Sequence, residues 1–113
     1  MTTAFKKLHW TEHSKIKMRQ YGLSKTKLTQ LLRKPERKEW GIVPGTMAVM
    51  KTNKSYSKAK QKKNPGEVWL MYKDAKDMRK IISTWRYPGT SKPGEEIPIP
   101  KEICQELLEN KEW

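Results

Sequence analysis

The sequence predicts an α+β domain in which two N-terminal helices pack on a four-stranded antiparallel sheet and a C-terminal helix closes the chain. Two capped amphipathic segments open it, followed by short apolar runs separated by turn residues. A proline-rich stretch then sets off a last amphipathic segment.

Phe5 to Trp10 carries aromatic and apolar positions spaced for a short extended lead-in. Thr11 offers an N-cap hydroxyl and Glu12 an acidic first turn, so helix one is expected from about Glu12 to Tyr21. Gly22 suits the left-handed position that ends a helix, and Ser24 is a second N-cap. Helix two is expected over Lys25 to Arg33, where Leu28, Leu31 and Leu32 form an i, i+3, i+4 stripe and Pro35 stops it.

Strands are expected at about Arg37 to Ile42, Thr46 to Lys51, Glu67 to Lys73 and Arg79 to Tyr87, with turns at Gly41, Pro44 and Gly45. The short connection Asp74 to Met78 favours antiparallel pairing of the last two. Pro88 to Pro100 holds four of the seven prolines and reads as an extended strap. A final helix from about Lys101 to Asn110 places Ile103, Leu107 and Leu108 on one side. The helices are expected on one face of the sheet, the other being open. In the third strand Val68, Leu70 and Tyr72 alternate with Trp69 and Met71, so the latter pair is either a ligand surface or the floor under the C-terminal helix.

A chain of 113 residues accommodates one core. The expected organisation is residues 1–90 as the α+β domain, with a Lys-rich loop at 52–66, and residues 91–113 as strap and helix packing on the same domain. Hydrophobic and charged residues are nearly balanced at 35% and 33%, but five Trp and four Tyr argue that a core forms. Cys104, the single cysteine, excludes an internal disulfide, and two His without a CxxC pair suggest no zinc site, although His9 and His13 stand four apart. No cofactor is expected. No stretch approaches the ~20 apolar residues of a membrane span, and Met1 to Lys7 lacks a signal-peptide core, so a soluble cytoplasmic protein is expected.

The net charge of +13 is unevenly placed: residues 1–65 hold 17 Lys and Arg against 3 acidic residues, residues 66–113 hold 8 against 9. Such a partition points to a phosphate-bearing partner docking on one part of the body. Lys51, Lys54, Lys58, Lys60, Lys62 and Lys63 could track a nucleic-acid backbone, with Tyr56 stacking on a base. The same loop could instead serve solubility or engage an acidic antitoxin-like protein.

His13-Ser14-Lys15-Ile16-Lys17-Met18 followed by Tyr21-Gly22-Leu23-Ser24 resembles the opening of a family of small bacterial and phage proteins allied to RelE-, ParE- and BrnT-type toxins. Glu67 to Tyr72 resembles that family's penultimate strand, and Ile81-Ile82-Ser83-Thr84-Trp85-Arg86-Tyr87-Pro88 its closing strand. The likeness spans about residues 8 to 88, interrupted by the Lys-rich insertion. It implies a barnase/RelE-like fold and a metal-independent endoribonuclease, or a descendant that keeps only RNA binding. The sequence departs from the pattern at Tyr21, where a second basic residue is usual, at Lys17, usually Arg, and in its C-terminal extension.

Metal-free RNA cleavage needs a base, an acid and cations around phosphorus. His13 is the candidate acid or base, and Lys17 and Tyr21 follow it on one helical face. Arg86 is the candidate guanidinium clamp, with Tyr72 and Tyr87 as secondary groups. Each has a structural alternative: a cap or packing role for His13, a solvated edge for Lys17, a core ring for Tyr21, a salt bridge to Glu67 or Asp74 for Arg86. The readings are therefore an RNA-cleaving toxin-like effector, a non-enzymatic nucleic-acid-binding module, or an interaction module for an acidic protein.

Overall fold

The computed structural model describes residues 7–53 and 66–109. In chain order the elements are β1 (Lys7–Trp10), α1 (Glu12–Tyr21), α2 (Lys25–Arg33), β2 (Arg37–Trp40), β3 (Thr46–Thr52), β4 (Glu67–Asp74), β5 (Met78–Tyr87) and α3 (Lys101–Glu109). The first two helices have the expected bounds because their ends are chemically marked. Thr11 and Ser24 accept the backbone N–H groups of Ser14 and Lys27, and Gly22 takes the left-handed conformation at φ 65° that closes α1.

The fold is α+β, but the sheet has five strands in the order β1-β5-β4-β3-β2 rather than four antiparallel ones. The lead-in expected before helix one is itself a strand, pairing parallel with β5 from Lys7 opposite Met78 to Trp10 opposite Ile81. It satisfies the outer edge of the first half of β5, which would otherwise expose unpaired backbone groups. Beyond Trp10 the edge passes to α1. The Thr11 hydroxyl donates to the Ile81 carbonyl at 2.8 Å, and Arg86 Nε donates to the Tyr21 carbonyl at 2.7 Å.

Both faces of the sheet are covered, contrary to the expectation of one open face. Cross-strand partners share a face. Val49, Leu70, Val68, Tyr72 and Ile81 pack under Met18, Leu23, Leu28 and Leu31 of the α1–α2 layer. Ala48, Met50, Trp69, Met71 and Trp85 pack under Ile103 and Leu107 of α3, with Ile97 and Ile99 of the strap alongside. Trp69 and Met71 are therefore the floor under the C-terminal helix. The Trp69 and Trp85 rings stack there, centroids 6.1 Å apart.

Polar anchors hold the strap on this second face. The buried Glu67 carboxylate accepts the Ser91 N–H at 2.9 Å and the Ser91 hydroxyl at 2.7 Å, while Arg37 Nη2 donates to the Glu95 carbonyl at 2.7 Å. The Trp85 indole N–H donates to the Pro98 carbonyl at 3.1 Å.

One irregularity positions the site. Tyr72 lies opposite Ile81 but Met71 opposite Ser83, so Ile82 is an extra residue in β5. The bulge turns Ser83 to the α3 side of the sheet and leaves Arg86, opposite Val68, on the α1–α2 side. Among the described residues no helix is long and apolar enough to cross a membrane.

Candidate nucleic-acid interface

His13, Lys17 and Tyr21 do lie along one stripe of α1, and that stripe faces α3. His13 Nε2 is 2.9 Å from the hydroxyl of the buried Ser83. Burial holds the His13 imidazole below its ordinary value of 6.5; the Glu106 carboxylate opposes the shift and the Lys17 ammonium reinforces it. The Lys17 side chain is only 6% exposed, and its ammonium meets Glu106 Oε1 at 2.9 Å and Gln20 Oε1 at 3.2 Å. Lys17 is thus a buried ion pair rather than a solvated edge. The Tyr21 phenol is raised by burial, lowered again by Lys17, and lies within the field of Glu102 and Glu106. It packs against both cores.

Arg86 does not join this stripe. It spends Nε on the Tyr21 carbonyl and Nη2, at 3.3 Å, on the Gly22 carbonyl, satisfying the C-terminal end of α1. Neither expected acid pairs with it: Asp74 binds Arg79, and Glu67 is taken by Trp69 Nε1 and Ser91. Of the secondary groups, Tyr72 is buried beneath the Arg79 guanidinium, 4.1 Å from its ring centroid, and Tyr87 packs on the α3-side core. His9 is exposed in β1, outside α1.

Lys51, on β3, shares a cross-strand row with Val68 and Arg86, and Arg86 helps to lower the Lys27 ammonium beyond the effect of burial. Lys27 in turn donates to Asn53 Oδ1 at 3.0 Å. This corner receives both ends of the Lys-rich segment, joined by the bond from Asn53 N–H to the Gly66 carbonyl at 2.9 Å. Lys54, Tyr56, Lys58, Lys60, Lys62 and Lys63 lie outside the described residues.

The exposed cations concentrate on the outer side of the α1–α2 layer. Lys15, Arg19, Lys25, Lys27, Arg33 and Lys34 are all exposed, and Glu12 is the only acidic residue between positions 12 and 34. Among the described residues none of these six pairs with a carboxylate. Lys15, Arg19 and Lys25 surround a cleft of about 500 Å³ where α1 turns into α2, floored by Met18 and Leu23. On the far side of the sheet the strap and α3 carry Glu95, Glu96, Glu102, Glu106 and Glu109. Among the described residues, the exposed cations of α1 and α2 and the glutamates of the strap and α3 thus stand on opposite sides of the sheet.

Three residues of interest escaped sequence reasoning. Ser83 carries no signal short of the bulge that aims it, and Glu106 reads only as one acid of an amphipathic helix. Trp40, 76% exposed, could have been noticed as a lone aromatic in the polar run Arg37-Lys38-Glu39-Trp40. Among the described residues no group of three potential metal ligands gathers. No family model, curated protein or solved structure matches this chain.

Proposed function

We propose that this chain is a small RNA-interacting protein of RelE-like fold that holds the phosphate backbone on its α1–α2 layer without cutting it. One observation carries the reading: six exposed cations on that layer have no acidic partner among the described residues, while the five glutamates of the strap and α3 lie behind the sheet. Unpaired surface cations release counterions when they meet phosphates, and that release drives sequence-independent binding. Lys27, bonded to Asn53 and within the field of Arg86, carries the same positive surface to the corner where Asn53 meets Gly66. The likeness of residues 8 to 88 to the RelE-, ParE- and BrnT-allied proteins suits this reading, which puts the site of action in the cytoplasm.

The cations expected for cleavage are committed elsewhere: Lys17 to Glu106 and Arg86 to the end of α1. A second reading, metal-independent endoribonuclease, draws on His13, whose imidazole burial holds below its ordinary value beside the Ser83 hydroxyl and which could act as a base. An acidic antitoxin-like partner would compete for the same cations.

The test is a titration of labelled single-stranded RNA in EDTA. Neutralising Arg19 and Lys25 to Gln should weaken binding at least tenfold at low salt, with the RNA recovered intact. Unchanged affinity would overturn the proposed surface. Cleavage abolished by His13→Ala would replace it with the nuclease reading.

A further inference from the structure

We infer that Trp40 is a base-stacking platform that makes single-stranded RNA, rather than duplex, the ligand of the cationic face. The inference rests on the RNA-binding reading above and adds the class of RNA.

Four tryptophans lie among the described residues. Trp69 and Trp85 are fully buried and Trp10 is partly covered, whereas Trp40 is 76% exposed. Its place in the fold is fixed by register. Trp10 pairs with Ile81, Ile81 with Tyr72, Tyr72 with Met47, and Met47 with Trp40. The five residues form one row across the entire sheet, on the face that carries α1 and α2. The middle of the row is buried beneath the helical layer, and Trp40 stands at its open end.

Two other rings of this row already have cations above them: Lys25 Nζ lies 5.7 Å from the Trp10 centroid, and Arg79 covers Tyr72. Trp40 has no ring contact among the described residues. Its neighbour on the same face of β2 is the exposed Lys38, since residues two apart on a strand point the same way. The other face of β2 is spent on the ion pair of Arg37 with Glu39. An exposed indole on the same strand face as an exposed ammonium matches a nucleotide, whose base has a π-face and whose phosphate is anionic.

The platform is held rigid. The Gly41 N–H donates to the Thr46 carbonyl at 2.9 Å, closing β2 onto β3 directly after Trp40. A Cβ at position 41 would fall 2.1 Å from Thr46 Oγ1, so glycine is required for this closure. The indole is therefore presented by ordered backbone, which lowers the entropic cost of stacking. A base inside a duplex is already stacked on both faces and cannot use it.

The experiment compares wild type, Trp40→Ala and Trp40→Phe in titrations with a labelled single-stranded RNA and with a duplex of the same sequence. Loss of one base–indole stack should weaken single-strand binding roughly tenfold to a hundredfold for Trp40→Ala, with a smaller loss for Trp40→Phe. Duplex binding should be equal in all three. Added single strand should also quench the emission that wild type has in excess of Trp40→Phe. Equal single-strand affinity in wild type and Trp40→Ala overturns the inference, as does an equal loss for duplex. If Trp40→Ala is without effect while the Arg19 and Lys25 neutralisation weakens binding, the inference fails alone. If wild type binds neither RNA, the underlying reading fails with it. Thermal unfolding of Trp40→Ala should match wild type, since the removed ring is solvated.

Discussion

Replacing Glu106 by Gln removes one charge from the contact between α1 and α3 and almost no volume. The Lys17 ammonium then stays buried, keeps Gln20 Oε1 at 3.2 Å, and loses its anion at 2.9 Å. At an effective dielectric near 20 the attraction at this separation is about 6 kcal/mol before desolvation is subtracted. Breaking a fully buried pair from one side costs about 3–5 kcal/mol. Glu106 is 48% exposed, so solvent screens part of the field and the amide oxygen recovers one hydrogen bond. The expected cost is about 2 kcal/mol, or a melting temperature lower by roughly 8 °C. Lys17→Met should behave differently: it leaves an apolar stem in an apolar slot and a half-solvated carboxylate, at a cost within about 1 kcal/mol. Urea denaturation read by tryptophan fluorescence measures both, and the double variant should resemble Lys17→Met alone, a coupling of about 1–2 kcal/mol. Equal and additive losses would refute the pairing. Lys17→Met should also leave RNA affinity within about twofold, because this lysine faces α3 rather than the cationic layer.

His13 confers a pH dependence whose sign follows from burial. Its folded pKa lies below the ordinary 6.5, so between that value and 6.5 the unfolded chain binds more protons. Stability is fully present above 6.5 and declines as pH falls towards the folded value; chemical denaturation between pH 7 and 5 should show this, and His13→Gln should flatten it. Arg86→Ala should lower stability by about 1–2 kcal/mol through the two lost carbonyl contacts while leaving RNA affinity nearly unchanged; the reverse pattern would make Arg86 a phosphate ligand. Thr11→Val keeps the volume but loses the cap to Ser14 and the bond to Ile81, and should cost about 1–2 kcal/mol by the same denaturation assay.

The helices were legible because their ends are written in single residues, Thr11, Gly22 and Ser24, and α2 carries an uninterrupted leucine stripe. The extended lead-in at Leu8 and Trp10 was legible, but its place as a strand of the sheet was not, since its partner lies about seventy positions away in β5. The alternation of Trp69 and Met71 with Leu70 showed that both faces carry apolar groups, but local pattern is silent about which element arrives to cover them. The stripe of His13, Lys17 and Tyr21 was visible from helical spacing alone. What it faces depends on tertiary register: an extra residue at Ile82 turns Ser83 to the α3 side, and the strap delivers Glu106. Arg86 went to a helix end because that end offers two carbonyls, a demand that no reading of β5 by itself exposes.

If exposed charge on the α1–α2 layer drives binding, RNA affinity must fall with salt. Each phosphate neutralised on a single strand contributes a slope of about −0.7 to the plot of log affinity against log salt. Wild type should give roughly −2 to −4, and the Arg19 and Lys25 double neutralisation should flatten that slope by about 1.4. An affinity insensitive to salt, or a slope unmoved by losing both cations, would show that this layer does not hold the RNA backbone.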